Sequence, residues 1–382
     1  MTTIDVAPQV LDWAVSRGGT SPSVLRKKFP RLERWRRGEA HPTLAQLEQF
    51  AQTTNTPFGF LLLDQPPQET VPMVDFRTRS ERSGRRSANL LDQVYLCEQR
   101  QAWFIEHAQR NGYEPLSFIG SMTPDVLPDE AAESIRRDLR MAPTFAATQK
   151  SQGEAVSAFA QLLEDAGVLV MISGIVGANT HRPLDAEEFS GFSLSDEYAP
   201  VIFINGVDSK RAQVFTLMHE LAHLYLGDSA LSYVEPGDLD DEGHEEWCNA
   251  VAARILIDAA VLRGRAPRIE TFPAQLEDLS RYFKVSTLVI LRRMLETQML
   301  TRDQFFPAYR EERERLRRLP RSDGSSGGSF YNTAPVRSSK RFTRAILRST
   351  LEGETVYTEA FAMLGTHRSE SIRNLAFATG AI

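Results

Sequence analysis

The chain has 382 residues, 42% of them hydrophobic and 25% charged, with a net charge of −6. That length suits two or three domains with real cores, and that balance is ordinary for a soluble globular protein. Two cysteines far apart, Cys97 and Cys248, argue against a disulfide framework and for a reducing compartment.

With no apolar N-terminal h-region and no run of about eighteen apolar residues, the sequence reads as a cytoplasmic protein without a membrane span. Net acidity argues against bulk attraction to nucleic acid, yet the charge is uneven. Residues 26–37 carry Arg26, Lys27, Lys28, Arg31, Arg34, Arg36 and Arg37 against Glu33 alone. Residues 235–246 hold Glu235, Asp238, Asp240, Asp241, Glu242, Glu245 and Glu246 with no Lys or Arg. The asymmetry hints at separate jobs.

Residues 7–65 read as four short helices, begun by Val10-Leu11-Asp12-Trp13, Ser23-Val24-Leu25, Leu32-Glu33-Arg34 and Pro42-Thr43-Leu44. The segment Trp35-Arg36-Arg37-Gly38-Glu39-Ala40-His41-Pro42-Thr43-Leu44 resembles the XRE-type helix-turn-helix. It departs from that pattern between Lys28 and Leu32, where Phe29-Pro30-Arg31 is too short for the usual turn and a full recognition helix. The expectation is a degenerate module over residues 1–65. Its Arg34, Arg36 and Arg37 would make only weak, salt-sensitive contacts with DNA phosphates.

Residues 66–150 read as a linker and a helical segment. Pro66-Pro67 and Val71-Pro72 mark extended backbone, residues 77–86 are basic, and 88–111 predict a long helix burying Leu90, Leu91, Val94 and Cys97. Helical pattern returns over 123–166. The period then changes, and Val168-Leu169-Val170-Met171-Ile172, residues 189–194 and Val201-Ile202-Phe203-Ile204 are short β-rich runs. They predict a small sheet, a common device for holding an extended substrate by strand addition.

The stretch Leu217-Met218-His219-Glu220-Leu221-Ala222-His223-Leu224-Tyr225-Leu226-Gly227 follows. Leu217, Leu221 and Leu224 share a helical face, and Gly227 reads as the stop. His219 and His223 then lie one turn apart, about 5–6 Å between Cβ atoms, so both imidazoles can reach one Zn²⁺. Glu220 is placed to handle the proton of an attacking water. Two histidines and a glutamate on so apolar a helix are costly unless a metal or hydrogen bonds satisfy them.

After Gly227 the sequence predicts a loop of about eighteen residues, then one apolar helix over 245–262. Catalytic zinc usually takes three protein ligands. Glu245, 22 positions after His223, is the choice for the third, with Glu246, His244 and Cys248 as alternatives. Asn249, one turn on, could hydrogen-bond a ligand and fix its orientation. His244, Tyr225, Tyr233 and Arg254 are within reach as oxyanion donors, although packing or a solvated loop suits each better. The metallopeptidase core is thus expected over 151–262. A helical, helix-turn-helix-like module follows over 263–320, with a solvated charge-rich end at 311–321. A Gly/Ser loop over 321–336 and a helical module over 337–382 complete the chain.

The His219–His223 helix, the Glu245-x-Trp247-Cys248-Asn249-x-x-Ala252-Ala253 helix and the strands before them resemble the ImmA/IrrE family of zinc metallopeptidases. So does Gly328-Ser329-Phe330-Tyr331-Asn332-Thr333 leading into Arg341-Phe342-Thr343-Arg344-Ala345. The resemblance implies an α+β, predominantly helical fold, with a zincin-like domain whose small sheet packs on the metal helix between helical modules. It also implies zinc on His219, His223 and Glu245, Glu220 as acid/base, and a helix-turn-helix repressor as substrate. Asp258 departs from the family, which often has proline there. The competing readings are a DNA- or protein-binding regulator with an idle metal site, and the effector of a toxin–antitoxin or phage-defence pair.

Overall fold

The computed structural model describes residues 3–69, 73–75, 86–232, 243–265, 271–318 and 329–381. The basic stretch 77–86 except Arg86, most of the acidic stretch 235–246, Tyr233 and residues 321–328 of the expected Gly/Ser loop lie outside the described residues, while residues 330–336 of that loop are helical. The chain divides into two units, residues 1–72 with 83–95, and residues 73–82 with 96–382.

In the first unit, α1 (Pro8–Gly18), α2 (Pro22–Lys28), α3 (Leu32–Arg36) and α4 (Leu44–Thr53) follow the four-helix pattern. Thr43 and Gln46 form a reciprocal capping box that starts α4. The core is aromatic, with Phe29, Trp35 and Phe50 meeting edge-on or tilted at 5.4–6.3 Å. The third helix is only five residues long and buries Leu32 and Trp35. Its exposed arginines already have acidic neighbours. Arg36 pairs with Asp12 and Glu33, and Arg34 and Arg37 both reach Glu39.

The second unit is built on a five-stranded sheet of order β1-β5-β3-β4-β2. Its strands are β1 (Val74–Asp75), β2 (Leu169–Ser173), β3 (Gly191–Leu194), β4 (Val201–Asn205) and β5 (Ala230–Ser232). β2 pairs with β4 in parallel, β3 is antiparallel to both β4 and β5, and β1 runs parallel to β5. The expected single loop after Gly227 therefore contains a strand. The outer edge of β5 also carries backbone of this same chain.

In this unit three helices precede the one that carries His219 and His223. They are α5 (Ala88–Arg110), which belongs to this unit from Leu96 onward, α6 (Pro128–Asp138) and α7 (Gln152–Asp165). The helical pattern expected over 123–166 is met by two helices separated by a short 3-10 turn at Phe145–Thr148. On one sheet face Ile202 and Ile204 share a core with Val214, Leu217 and Leu221 of α8 (Lys210–Leu226). On the other, Phe192 stacks on Phe203 at 4.9 Å.

α9 (His244–Leu256) and α10 (Ala259–Arg265) replace the single helix expected over 245–262. The break is at Asp258, whose Oδ1 accepts from the backbone N–H groups of Ala260 and Val261 and so starts α10. An apolar run hides such a cap from periodicity. Next come α11 (Phe272–Phe283), α12 (Thr287–Glu296) and α13 (Arg302–Arg318). Glu312, expected on a solvated helix end, is buried, accepting from Thr287 and from Arg315.

The C-terminal helices are α14 (Phe330–Arg337), α15 (Lys340–Leu351), α16 (Tyr357–Leu364) and α17 (Ser369–Thr379). Two buried charges join them to the sheet-bearing core. Arg100 of α5 donates to the Arg337 carbonyl at 3.1 Å and twice to the Met363 carbonyl at 2.7 and 3.1 Å. It thereby satisfies the C-terminal turns of α14 and α16, where carbonyls lack helical partners. Burial lowers the pKa of this guanidinium to about 10. Glu164 of α7 accepts from the Ser339 hydroxyl and the Lys340 backbone N–H, each at 2.7 Å, at the start of α15.

Candidate metal centre

α8 begins with Ser209, whose side chain accepts from the Ala212 N–H, and ends at Gly227 with a left-handed φ of 80°. The sequence shows a leucine stripe, but the whole run from Gln213 to Tyr225 is buried, because sheet, α7 and α9 enclose it. A polar side chain on this helix therefore sits inside the protein whichever way it points.

His219 and His223 bring their Nε2 atoms to 3.1 Å. α9 adds Glu245, with Oε2 at 3.2 Å from His219 Nε2 and Oε1 at 3.2 Å from His223 Nε2. Among the described residues these three form the group of His, Cys, Asp and Glu side chains able to hold a metal ion. The spacing fits one. Ligands at roughly 2.0–2.1 Å in a tetrahedron are about 3.3 Å apart, close to the three separations found here.

Glu246, the neighbouring alternative, is exposed. Cys248 is fully buried in the core, and burial raises its thiol pKa well above the ordinary value, so it packs. His244 is half-exposed and pairs with Asp228 at 2.5 Å. Asn249 is buried on α9, one turn beyond Glu245. Of the other oxyanion candidates, Tyr225 donates to Asp138, and Arg254 pairs with Asp129 and Glu296. Both are held by structural partners.

What aims Glu245 is the seat of α9. Trp247 Nε1 donates to the Val126 carbonyl at 2.8 Å. Arg136 donates to the Arg254 carbonyl and Arg293 to the Ile257 carbonyl, tying down the far end of the helix. Ala222, Cys248 and Ala252 are small and fully buried, which suits close packing of α8 and α9.

Glu220 is completely buried and points toward the sheet. Burial, the largest cause, raises its pKa to about 7; the Glu245 charge adds to this, while His219, Ser232 and Ser193 oppose it. Gly191 makes room for it. A Cβ there would lie 2.7 Å from Thr216 Cγ2, 2.9 Å from the Phe203 carbonyl and 3.2 Å from Glu220 Oε1. Burial lowers the His223 pKa and so favours its neutral, metal-binding form, with Glu245 and Asp228 opposing. Glu245 is held low despite its burial by the two histidines, and so stays ionised.

Sequence reasoning did not find Gly191, Ser193 or Ser232. The alternation Gly191-Phe192-Ser193 was a usable signal, since it puts two small residues on one strand face.

Residues 164–295 match the family model of the IrrE N-terminal-like domain, Peptidase_M78, and residues 338–377 match a domain of unknown function (DUF8813). The first match spans Glu220 and all three side chains of the metal group, and supports the likeness to the ImmA/IrrE family and a metallopeptidase-type function. No curated protein and no solved structure matches the chain. Among the described residues, no helix is long and apolar enough to cross a membrane.

Proposed function

We propose that this protein is a zinc-dependent endopeptidase that cuts a specific cytoplasmic protein. The observation that carries this reading is the convergence of His219, His223 and Glu245 beside a buried Glu220 that is not one of that group. Two histidines and a glutamate are a donor set used by catalytic zinc. A regulator with an idle or purely structural metal has no use for Glu220.

A divalent ion held there supplies Lewis acidity toward a peptide carbonyl and makes water nucleophilic near neutral pH. Glu220, fully buried beside that group, would accept the proton of the attacking water and deliver it to the departing amine. His219 and His223 are fully enclosed, while the Glu245 side chain keeps 13% exposure.

The helical modules outside residues 151–262 supply remote binding surface that positions one bond. By likeness to the ImmA/IrrE family, the substrate is a helix-turn-helix repressor. The test incubates zinc-loaded protein with casein and with a cell lysate and maps new protein termini. One discrete lysate cleavage, absent with Glu220→Gln, is the expected result; rapid unselective casein degradation overturns the specificity.

A further inference from the structure

The sheet face beneath α8 changes character at one place. On β4 the residues turned toward α8 are Ile202 and Ile204, both in the apolar core. Across the ladder, β3 sets Ser193 opposite Ile202 and Gly191 opposite Ile204, and β5 sets Ser232 opposite Gly191. Directly opposed residues share a face. Gly191, Ser193 and Ser232 therefore form a small polar patch on the same side as Glu220.

Both serines are fully buried. The hydroxyl oxygens of Ser193 and Ser232 and both carboxylate oxygens of Glu220 are buried without hydrogen-bond partners. An unpaired buried hydroxyl is destabilising, and alanine would avoid that cost. The four atoms complement one another in number, because two rotatable O–H donors face two acceptor oxygens. The serines are also close enough to act on the charge of Glu220.

We infer that Ser193 and Ser232 are positioning residues for Glu220, each hydroxyl donating to its carboxylate so that the group keeps one orientation beside His219. Gly191 permits the approach, since a side chain there would push into Thr216 and Glu220. The effect rests on the peptidase reading only for its catalytic consequence; the hydrogen bonds themselves do not require it.

The test uses the full-length zinc-loaded protein, wild type and with Ser193→Ala, Ser232→Ala and both. Crystal structures, zinc content and the rate at which new termini appear in a cell lysate are measured. The expected wild-type structure has both Oγ atoms within about 3 Å of Glu220 oxygens. In the double variant the carboxylate turns away, zinc content is unchanged, and cleavage falls about 10- to 100-fold. Single variants give intermediate losses and serve if the double variant does not fold. Hydroxyls lying beyond hydrogen-bond distance in the wild type, or a double variant with the same carboxylate orientation, overturn the inference. A wild type that cleaves nothing, yet shows the two hydrogen bonds and the turned carboxylate, upholds the inference and overturns the peptidase reading instead.

Discussion

Glu245 Oε2 stands 3.2 Å from His219 Nε2, although the two residues belong to different helices. That contact closes the metal group, and it depends on α9 being held at both ends. Glu245→Ala is expected to weaken zinc binding by about 100-fold or more, beyond what losing a supporting hydrogen bond costs. Glu246→Ala should leave affinity within a factor of a few, because its side chain is exposed. Competition titration against a chelator measures both, and the reverse pattern would move the third ligand to Glu246.

Glu220→Gln should retain zinc, while His219→Ala should lose it. Cleavage should fall in both, by about 10²–10⁴-fold for Glu220→Gln. Loss of zinc in Glu220→Gln comparable to that in His219→Ala would show that Glu220 is a ligand and not the proton carrier.

In the metal-free protein Glu220 and His223 should bend the stability profile in opposite directions below about pH 7. Glu220 is raised from 4.5 to about 7, so its folded state favours the proton. Its stabilising contribution is present below pH 4.5 and lost as pH rises through about 7, at a cost of about 3 kcal/mol. His223 is lowered from 6.5, so its contribution is lost as pH falls below 6.5 and the unfolded chain takes up the proton. Thermal melts from pH 4 to 8 should show that Glu220→Gln removes the part of the profile that falls as pH rises from 4.5 to about 7. A profile unchanged over that range in the variant would remove Glu220 as a contributor.

Gly191→Ala should destabilise the protein by about 1–3 kcal/mol, since the added methyl meets the Phe203 carbonyl and Thr216 in a closed layer. Urea denaturation gives the number. A neutral result would mean that β3 can move off α8 freely.

The N-terminal unit should bind duplex DNA weakly and without sequence preference. Its five-residue third helix is consumed by packing Leu32 and Trp35, and Arg34, Arg36 and Arg37 already face carboxylates. Anisotropy titrations should lose most binding between about 50 and 200 mM salt. A footprint that survives physiological salt would instead establish a reading head.

The metal helix was legible because three local signals coincide there: histidines one turn apart, an apolar stripe and a terminal glycine. Glu245 could be nominated from spacing, because a second helix returning under the first needs about that much chain. β5 was not legible, since Ala230-Leu231-Ser232 is too short to display alternation and becomes a strand only by pairing with β3. The break at Asp258 was hidden for a related reason, as the hydrophobic run continues on both sides of a cap set by one carboxylate. Ser193 shares with Gly191 an alternation of small residues, but Ser232 has no sequence pattern of its own. Their placement under Glu220 is a product of strand register, which tertiary structure alone decides.

The anchoring of Arg100 on the carbonyls of Arg337 and Met363 bears on how the protein can be dissected. A fragment ending after α13 would strip a buried guanidinium of its acceptors, and the same cut would remove the donors that Glu164 holds through Ser339 and Lys340. Each loss takes away the partners of an ionisable group and uncovers the surface packed around it, against a total stability of about 5–15 kcal/mol. The stretch that matches the peptidase family is for this reason not an excisable cassette. Shortened versions made to isolate its chemistry should aggregate or be degraded, and loss of activity in them would report a collapsed scaffold and say nothing about the metal.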